Sequence, residues 1–139
     1  MSPEFLSEIR KHLIRDEGLE LKPYKDTMGK LTIGVGRNLD DRGITEAIAM
    51  QMLDEDVEMS FNAACAIFSC FKDFSMSRQL AIVNMLFNLG ETRFRKFEKM
   101  IAAINKNDWS EASAQAMASG WGMQVPNRAR RIANLLRDG

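Results

Sequence analysis

Histidine occurs once in this 139-residue chain, as His12, and cysteine twice, as Cys65 and Cys70. Without a Cys/His cluster there is no plausible ligand set for zinc. No metal or other cofactor is expected. The two thiols fall in a stretch patterned as helix, where five residues turn the chain through about 140° and point them apart. No disulfide is expected between them, and both read as core filling. Long apolar runs are missing as well. Nothing approaches the ~18 uninterrupted apolar residues of a membrane span, so no stable membrane insertion is expected. The opening stretch, MSPEFLSEIRKHLIRDEG, carries charges throughout and lacks the apolar centre of a signal peptide. That leads to the expectation that the chain is made in the cytoplasm and needs a separate release route to reach anything outside the inner membrane.

An overall charge of either sign is absent too: 19 Lys/Arg balance 19 Asp/Glu. The halves differ, with 8 basic against 13 acidic residues in 1–69 and 11 against 6 in 70–139. A basic C-terminal half suits an anionic polymer, either a cell wall or nucleic acid, and equally describes an unevenly charged solvated surface. No motif supports the nucleic-acid alternative, and none is expected as a partner.

What is present describes a soluble globular chain, 45% apolar and 27% charged. Its length suits one domain, or two small lobes sharing a core. Ser2-Pro3 reads as an N-cap followed by proline in the first turn, and Phe5, Leu6, Ile9 and Leu13 keep a helical stripe over 3–16 that Gly18 ends. Residues 18–44 change character: they are short, glycine-punctuated and alternating, which predicts a small antiparallel sheet of two or three strands. Asp40-Asp41-Arg42-Gly43 reads as a loop. From Thr45, a fair N-cap, to 139 the pattern is helical. Met52, Leu53, Val57, Phe61, Ala64, Cys65 and Phe68 trace a buried stripe. Leu80, Ile82, Val83, Met85, Leu86, Phe87 and Leu89 cover nearly the whole of a helix that ends at Gly90, as in a central helix. Further helices are expected over Phe97–Ile104, after the capping-box spacing Asp108–Glu111, and from Pro126 onward. Ten methionines fall mostly on apolar stripes, which points to core packing. The fold class is α+β, a small antiparallel sheet lobe packed against a mostly helical lobe.

The chemistry concentrates between Asp16 and Gly36. Glu17 falls where the first helix gives way to the sheet, Asp26 at the turn after Tyr24-Lys25, and Thr32 in the following strand. Residues 14–36, IRDEGLELKPYKDTMGKLTIGVG, resemble the active-site segment of the phage T4-type lysozymes, with its E-G…Y-x-D-x-x-G-x-x-T-I-G-x-G order. Asn84–Glu91, NMLFNLGE, resembles the central helix of that family. Trp121–Arg131, WGMQVPNRARR, is similar to its W-x-x-Q-x-P-N-R-A-x-R segment. The three blocks stand in the family's order and their frame covers nearly the whole chain.

The resemblance implies a single lysozyme-like domain over 1–139, acting as a monomer on peptidoglycan glycan strands at the cell wall. It implies a muramidase in which Glu17 protonates the glycosidic oxygen. Asp26 would hold or deprotonate the water, or stabilise the cationic sugar, and Thr32 would position that water. Such chemistry needs one protonated and one ionised carboxyl in different environments. Glu17 is accordingly expected to be partly buried, and Asp26 wet. Arg128 is implied as the charge partner that orients Glu17; alternatively Arg128, Arg130 and Arg131 are one solvated helix face. Asn88 and Phe87 match positions lining the family's cleft, with Trp121 near its rim. Phe87 and Trp121 read as well as core residues, and Tyr24 as structural. Two departures stand out. Arg37 replaces the histidine common after G-x-G, and the loop RNLDDRGIT is short, which lowers one wall of the expected cleft. The rival reading is a peptidoglycan-binding or scaffolding module that keeps the fold without the activity.

Overall fold

Ser2 starts the first helix by accepting the Phe5 N–H on its hydroxyl at 3.1 Å, with Pro3 in the first turn. In the computed structural model, which describes residues 1–139, this helix, α1, spans Pro3–Glu17. Gly18 closes it, its N–H donating to Ile14 O at 2.8 Å. Three strands follow, β1 (Glu20–Lys25), β2 (Leu31–Gly34) and β3 (Arg37–Asn38), in an antiparallel sheet of that order. Tyr24 stands opposite Thr32 and Lys25 opposite Leu31, while Thr32 pairs on its other side with Asn38. The β1–β2 register shifts between Glu20 and Tyr24, a bulge that leaves the Tyr24 end regular.

Residues 39–42, expected as a loop, form a one-turn helix, α2 (Leu39–Arg42). Asn38 caps it by accepting the Asp41 N–H at 3.0 Å, a job that Asn does well. The chain divides into two compact units, Met1–Met50 and Gln51–Gly139. Helix α3 (Glu46–Ile67) begins behind Thr45, whose hydroxyl accepts the Ile48 N–H, and runs from the first unit into the second.

The second unit is helical. A 3₁₀ turn (Phe71–Asp73) leads to α4 (Met76–Leu89), α5 (Glu91–Phe94), α6 (Glu98–Asn105), α7 (Trp109–Ala118), α8 (Gly120–Gln124) and α9 (Pro126–Asp138). The short helices α5 and α8 lie outside what periodicity announces, being four and five residues long. Its core joins Phe68, Phe71, Ile82, Met85, Leu86, Phe94, Met100, Ile104, Ile132 and Leu136, with edge-to-face rings such as Phe61–Phe71 at 5.3 Å. Helix α9 buries Ala129, Ile132, Ala133 and Leu136, one strict helical stripe. Arg78 fastens its end, donating to Leu136 O at 2.9 Å while its guanidinium lies 4.3 Å from the Trp109 ring centroid.

Packing is more selective than the apolar pattern. On α3 the core takes up residues only from Phe61 on, and Met52, Leu53 and Val57 are exposed. Helix α4 is amphipathic, with Leu80 and Phe87 at the surface. Among the methionines only Met85 and Met100 are buried, so most of them are surface residues and not core filling. Cys65 is half-buried against the core, whereas Cys70 lies exposed beside the 3₁₀ turn; both are free thiols. The fold class is the expected α+β, mostly helical with one small antiparallel sheet.

Candidate active site

Glu17 is the last residue of α1, and its side chain lies over Gly36, which follows β2. A methyl group at Gly36 would stand 3.2 Å from Glu17 Oε2 and 3.4 Å from the carboxyl carbon. Gly36 also has φ +68°, a conformation that side chains resist. A side chain at residue 36 would therefore press on the carboxylate and shift it by a few tenths of an ångström. The acid is exposed, not partly buried as expected, because it sits at a helix end that reaches the surface.

Asp26 is the more enclosed carboxylate of the two. It heads the turn between β1 and β2, and its Oδ1 accepts the N–H groups of Met28 at 2.9 Å and Lys30 at 2.8 Å. Its own N–H donates to Lys30 O at 2.9 Å, and its carbonyl accepts from Gly29 at 3.0 Å. Four bonds therefore fix the residue while Oδ2 is left without a partner in the sheet unit. Thr32, only 3% exposed, donates its hydroxyl proton to the same Lys30 carbonyl at 2.9 Å. A threonine hydroxyl has one proton and two lone pairs. With the proton committed to Lys30, this one faces any further partner as an acceptor.

The main chain of Lys30 thus ties Asp26 to Thr32, and its side chain is held as well. Lys30 Nζ meets Asp41 Oδ1 at 3.1 Å. The hydrogen bond to Asp41 and its charge raise the Lys30 pKa, and the ammonium in turn lowers that of Asp41. Neither lysine nor aspartate was singled out from sequence, although Asn38 and Asp41 have the three-residue spacing of a helix cap. Arg37, standing where the family commonly has histidine, reaches Gly43 O at a long 3.4 Å.

In the helical unit two side-chain bonds join the segments that the sequence marked out. Trp121 Nε1 donates to Asn88 Oδ1 at 2.7 Å, and Arg128 Nε donates to Asn84 Oδ1 at 2.8 Å. Asn84 and Asn88 are one turn apart on α4, so this helix holds both α8 and the start of α9 through amide oxygens. Trp121 is buried, 5% exposed, and serves as a plug whose one polar atom is satisfied. Asn88 is exposed rather than a buried amide, and with its oxygen turned to Trp121 it offers its NH₂ outward. Arg128 engages a neutral amide of its own unit. Phe87, 41% exposed, lines a groove of about 400 Å³ with Asp56, Met59, Ser60, Ala63 and Glu91. Asn88 and Trp121 lie outside the lining of that groove, although Asn88 follows Phe87 directly on α4. Asn84 went unassigned because its role depends on a partner 44 residues away.

The arrangement in the sheet unit suits acid–base work on a neutral leaving oxygen. One free carboxylate stands at a helix end, and a second is backbone-fixed with one open oxygen. Tied to the same residue through the Lys30 carbonyl is a hydroxyl restricted to accepting.

A family model described as phage lysozyme matches residues 15–135. "Probable T4-type lysozyme 2" of Dictyostelium discoideum is 24% identical over 163 aligned positions, covering 96% of this chain and 96% of that protein. "Probable T4-type lysozyme 1" of the same organism is 27% identical with the same coverage. The pre-baseplate central spike protein Gp5 of Enterobacteria phage T4 is 28% identical over 91% of this chain, which spans 27% of that longer protein.

Proposed function

Because the chain belongs to the phage lysozyme family, we propose that it is a muramidase hydrolysing the β-1,4 bond between N-acetylmuramic acid and N-acetylglucosamine in peptidoglycan. Glu17 gives its proton to the glycosidic oxygen as the bond to the anomeric carbon breaks. Water attacks that carbon from the other face, giving up a proton to Asp26 Oδ2 while donating a hydrogen bond to Thr32 Oγ1. The observation that carries this reading is the shared Lys30 carbonyl, which takes both the Asp26 N–H and the Thr32 hydroxyl proton at 2.9 Å. It ties both residues to one peptide group and leaves Asp26 Oδ2 and a Thr32 lone pair each free to accept, the two kinds of acceptor a nucleophilic water needs.

Asn88 contributes its free NH₂ and Phe87 its exposed ring to glycan recognition, and Arg128 and Trp121 hold the segment that supports them. The chain works as one lysozyme-like domain on the bacterial wall after synthesis in the cytoplasm, as a monomer. Direct attack by water inverts the anomeric centre, so the first product should carry the inverted configuration; retention would contradict the mechanism. Clearing of permeabilised Gram-negative cells tests the activity. Wild type should lower the turbidity and Glu17→Gln should not, while both co-sediment with sacculi. A wild-type chain that sediments with sacculi and clears nothing is a binding module instead.

A further inference from the structure

The ladder between β2 and β3 ends at the Thr32–Asn38 pair, because the chain turns into α2 at Leu39. The Leu31 N–H, one residue further out, therefore has no strand to donate to. Asp40 in the first turn of α2 takes it: Leu31 N–H donates to Asp40 Oδ2 at 2.7 Å, a length typical of an ionised acceptor. That N–H belongs to the same planar peptide unit as the Lys30 carbonyl, so fixing one end fixes the other. The carbonyl end is where Asp26 N–H and Thr32 Oγ1 converge.

We propose that Asp40 is a positioning residue for glycan cleavage, its carboxylate orienting and polarising the Lys30–Leu31 peptide so that the carbonyl holds the Thr32 proton and leaves the Thr32 lone pairs to the attacking water. The inference rests on the reading of Asp26 and Thr32 as the water-activating pair. Hydrogen bonds in series polarise one another, so an anion on the N–H end makes the carbonyl a stronger acceptor. A stronger acceptor pulls the hydroxyl proton and raises the electron density left on Thr32 Oγ1. Asp41, the next residue, steadies the same segment differently, through the Lys30 ammonium and Asn38 Nδ2. It touches neither end of the peptide unit. Asp40 alone acts on the group that Asp26 and Thr32 share.

The test compares wild type, Asp40→Ala and Asp40→Asn as purified full chains, in clearing kinetics and by NMR of the Leu31 amide proton and the Lys30 carbonyl carbon. Asp40→Ala should lower kcat about tenfold with KM unchanged, the signature of misplaced reacting groups rather than lost binding. Asp40→Asn keeps an accepting oxygen without the charge, and should recover kcat to within about threefold of wild type. Both variants should move the Leu31 amide and Lys30 carbonyl signals together, the alanine more. An active wild type whose kcat survives Asp40→Ala overturns this inference alone. So does a loss that Asp40→Asn fails to rescue, or a Lys30 carbonyl that stays put while the Leu31 amide moves. A wild type that leaves glycan uncut while both signals respond as described overturns the muramidase reading, and the catalytic role of Asp40 with it.

Discussion

At Gly36 the missing side chain makes room for a carboxylate. Its hydrogen occupies the place where a methyl would press on Glu17 Oε2 from 3.2 Å. Gly36→Ala should cost about 1–2 kcal/mol of stability for its positive φ. Rate should respond as well: shifting the acid by a few tenths of an ångström should lower kcat about threefold. Clearing kinetics beside a thermal melt separate the two, and a variant that melts early yet cleaves normally would show that the contact has no part in the chemistry. Glu17, Asp26 and Thr32 stand out in the sequence because the E-G…D…T-I-G-x-G order names all three. Their surroundings do not. The Glu17–Gly36 approach spans 19 residues with no periodicity to reveal it, and the exposure of Glu17 depends on where α1 stops relative to the surface. That Thr32 spends its proton on the carbonyl two residues back is a matter of local conformation, which residue identity leaves open.

Helix α4 does more than fill the core, since two amides on its exposed side hold α8 and α9. Asn88→Ala would leave the indole N–H of buried Trp121 without its acceptor, at about 1–2 kcal/mol. A urea titration should show the midpoint falling accordingly; an unchanged midpoint would mean that the bond contributes nothing. In the sheet unit the link between α2 and the β1–β2 turn has its own pH dependence. The Asp41 pKa is lowered by the Lys30 ammonium, so the pair's contribution is complete above the ordinary aspartate value of 3.8 and disappears as pH falls through the lower folded-state value. The Lys30 pKa is raised by Asp41, with Asp40 and Asp26 adding their charges, so at the alkaline end the contribution outlasts the ordinary lysine value of 10.5. The melting-temperature difference between wild type and Asp41→Asn should therefore be small, as for any exposed pair, and flat through the neutral range. It should close in acid below that ordinary aspartate value, and again in alkali above the ordinary lysine value. A difference that titrates near neutrality would assign the effect to another group. Helix starts were legible where a cap exists, at Ser2, Thr45 and Asp108. Helix α2 was not, because four residues hold too little periodicity and an Asp-Asp-Arg-Gly run has the composition of a loop.

The whole molecule corrects one inference from linear charge. The acidic first half and basic second half do not correspond to the two units: Met1–Met50 holds 8 Lys/Arg and 9 Asp/Glu, and Gln51–Gly139 holds 11 and 10. The difference arises from Asp54, Glu55, Asp56 and Glu58, which sit on α3 in the helical unit. With each unit near neutrality, the electrostatic argument for nucleic acid weakens. Fluorescence anisotropy with duplex DNA at low salt should show no binding that competes with sacculi. Tight, salt-sensitive binding would reopen that alternative. The α+β class was readable from the change of hydrophobic period near residue 18 and back near 45. Which apolar positions are covered was not, since Met52, Leu53, Leu80 and Phe87 share stripes with buried neighbours. The most direct measurement of the proposed chemistry is mass spectrometry of purified sacculi digested with wild type and with Glu17→Gln. Fragments ending in reducing N-acetylmuramic acid should come from the wild type alone. Identical fragments from both would remove Glu17 as the acid, and reducing N-acetylglucosamine ends would mean that a different bond is cut.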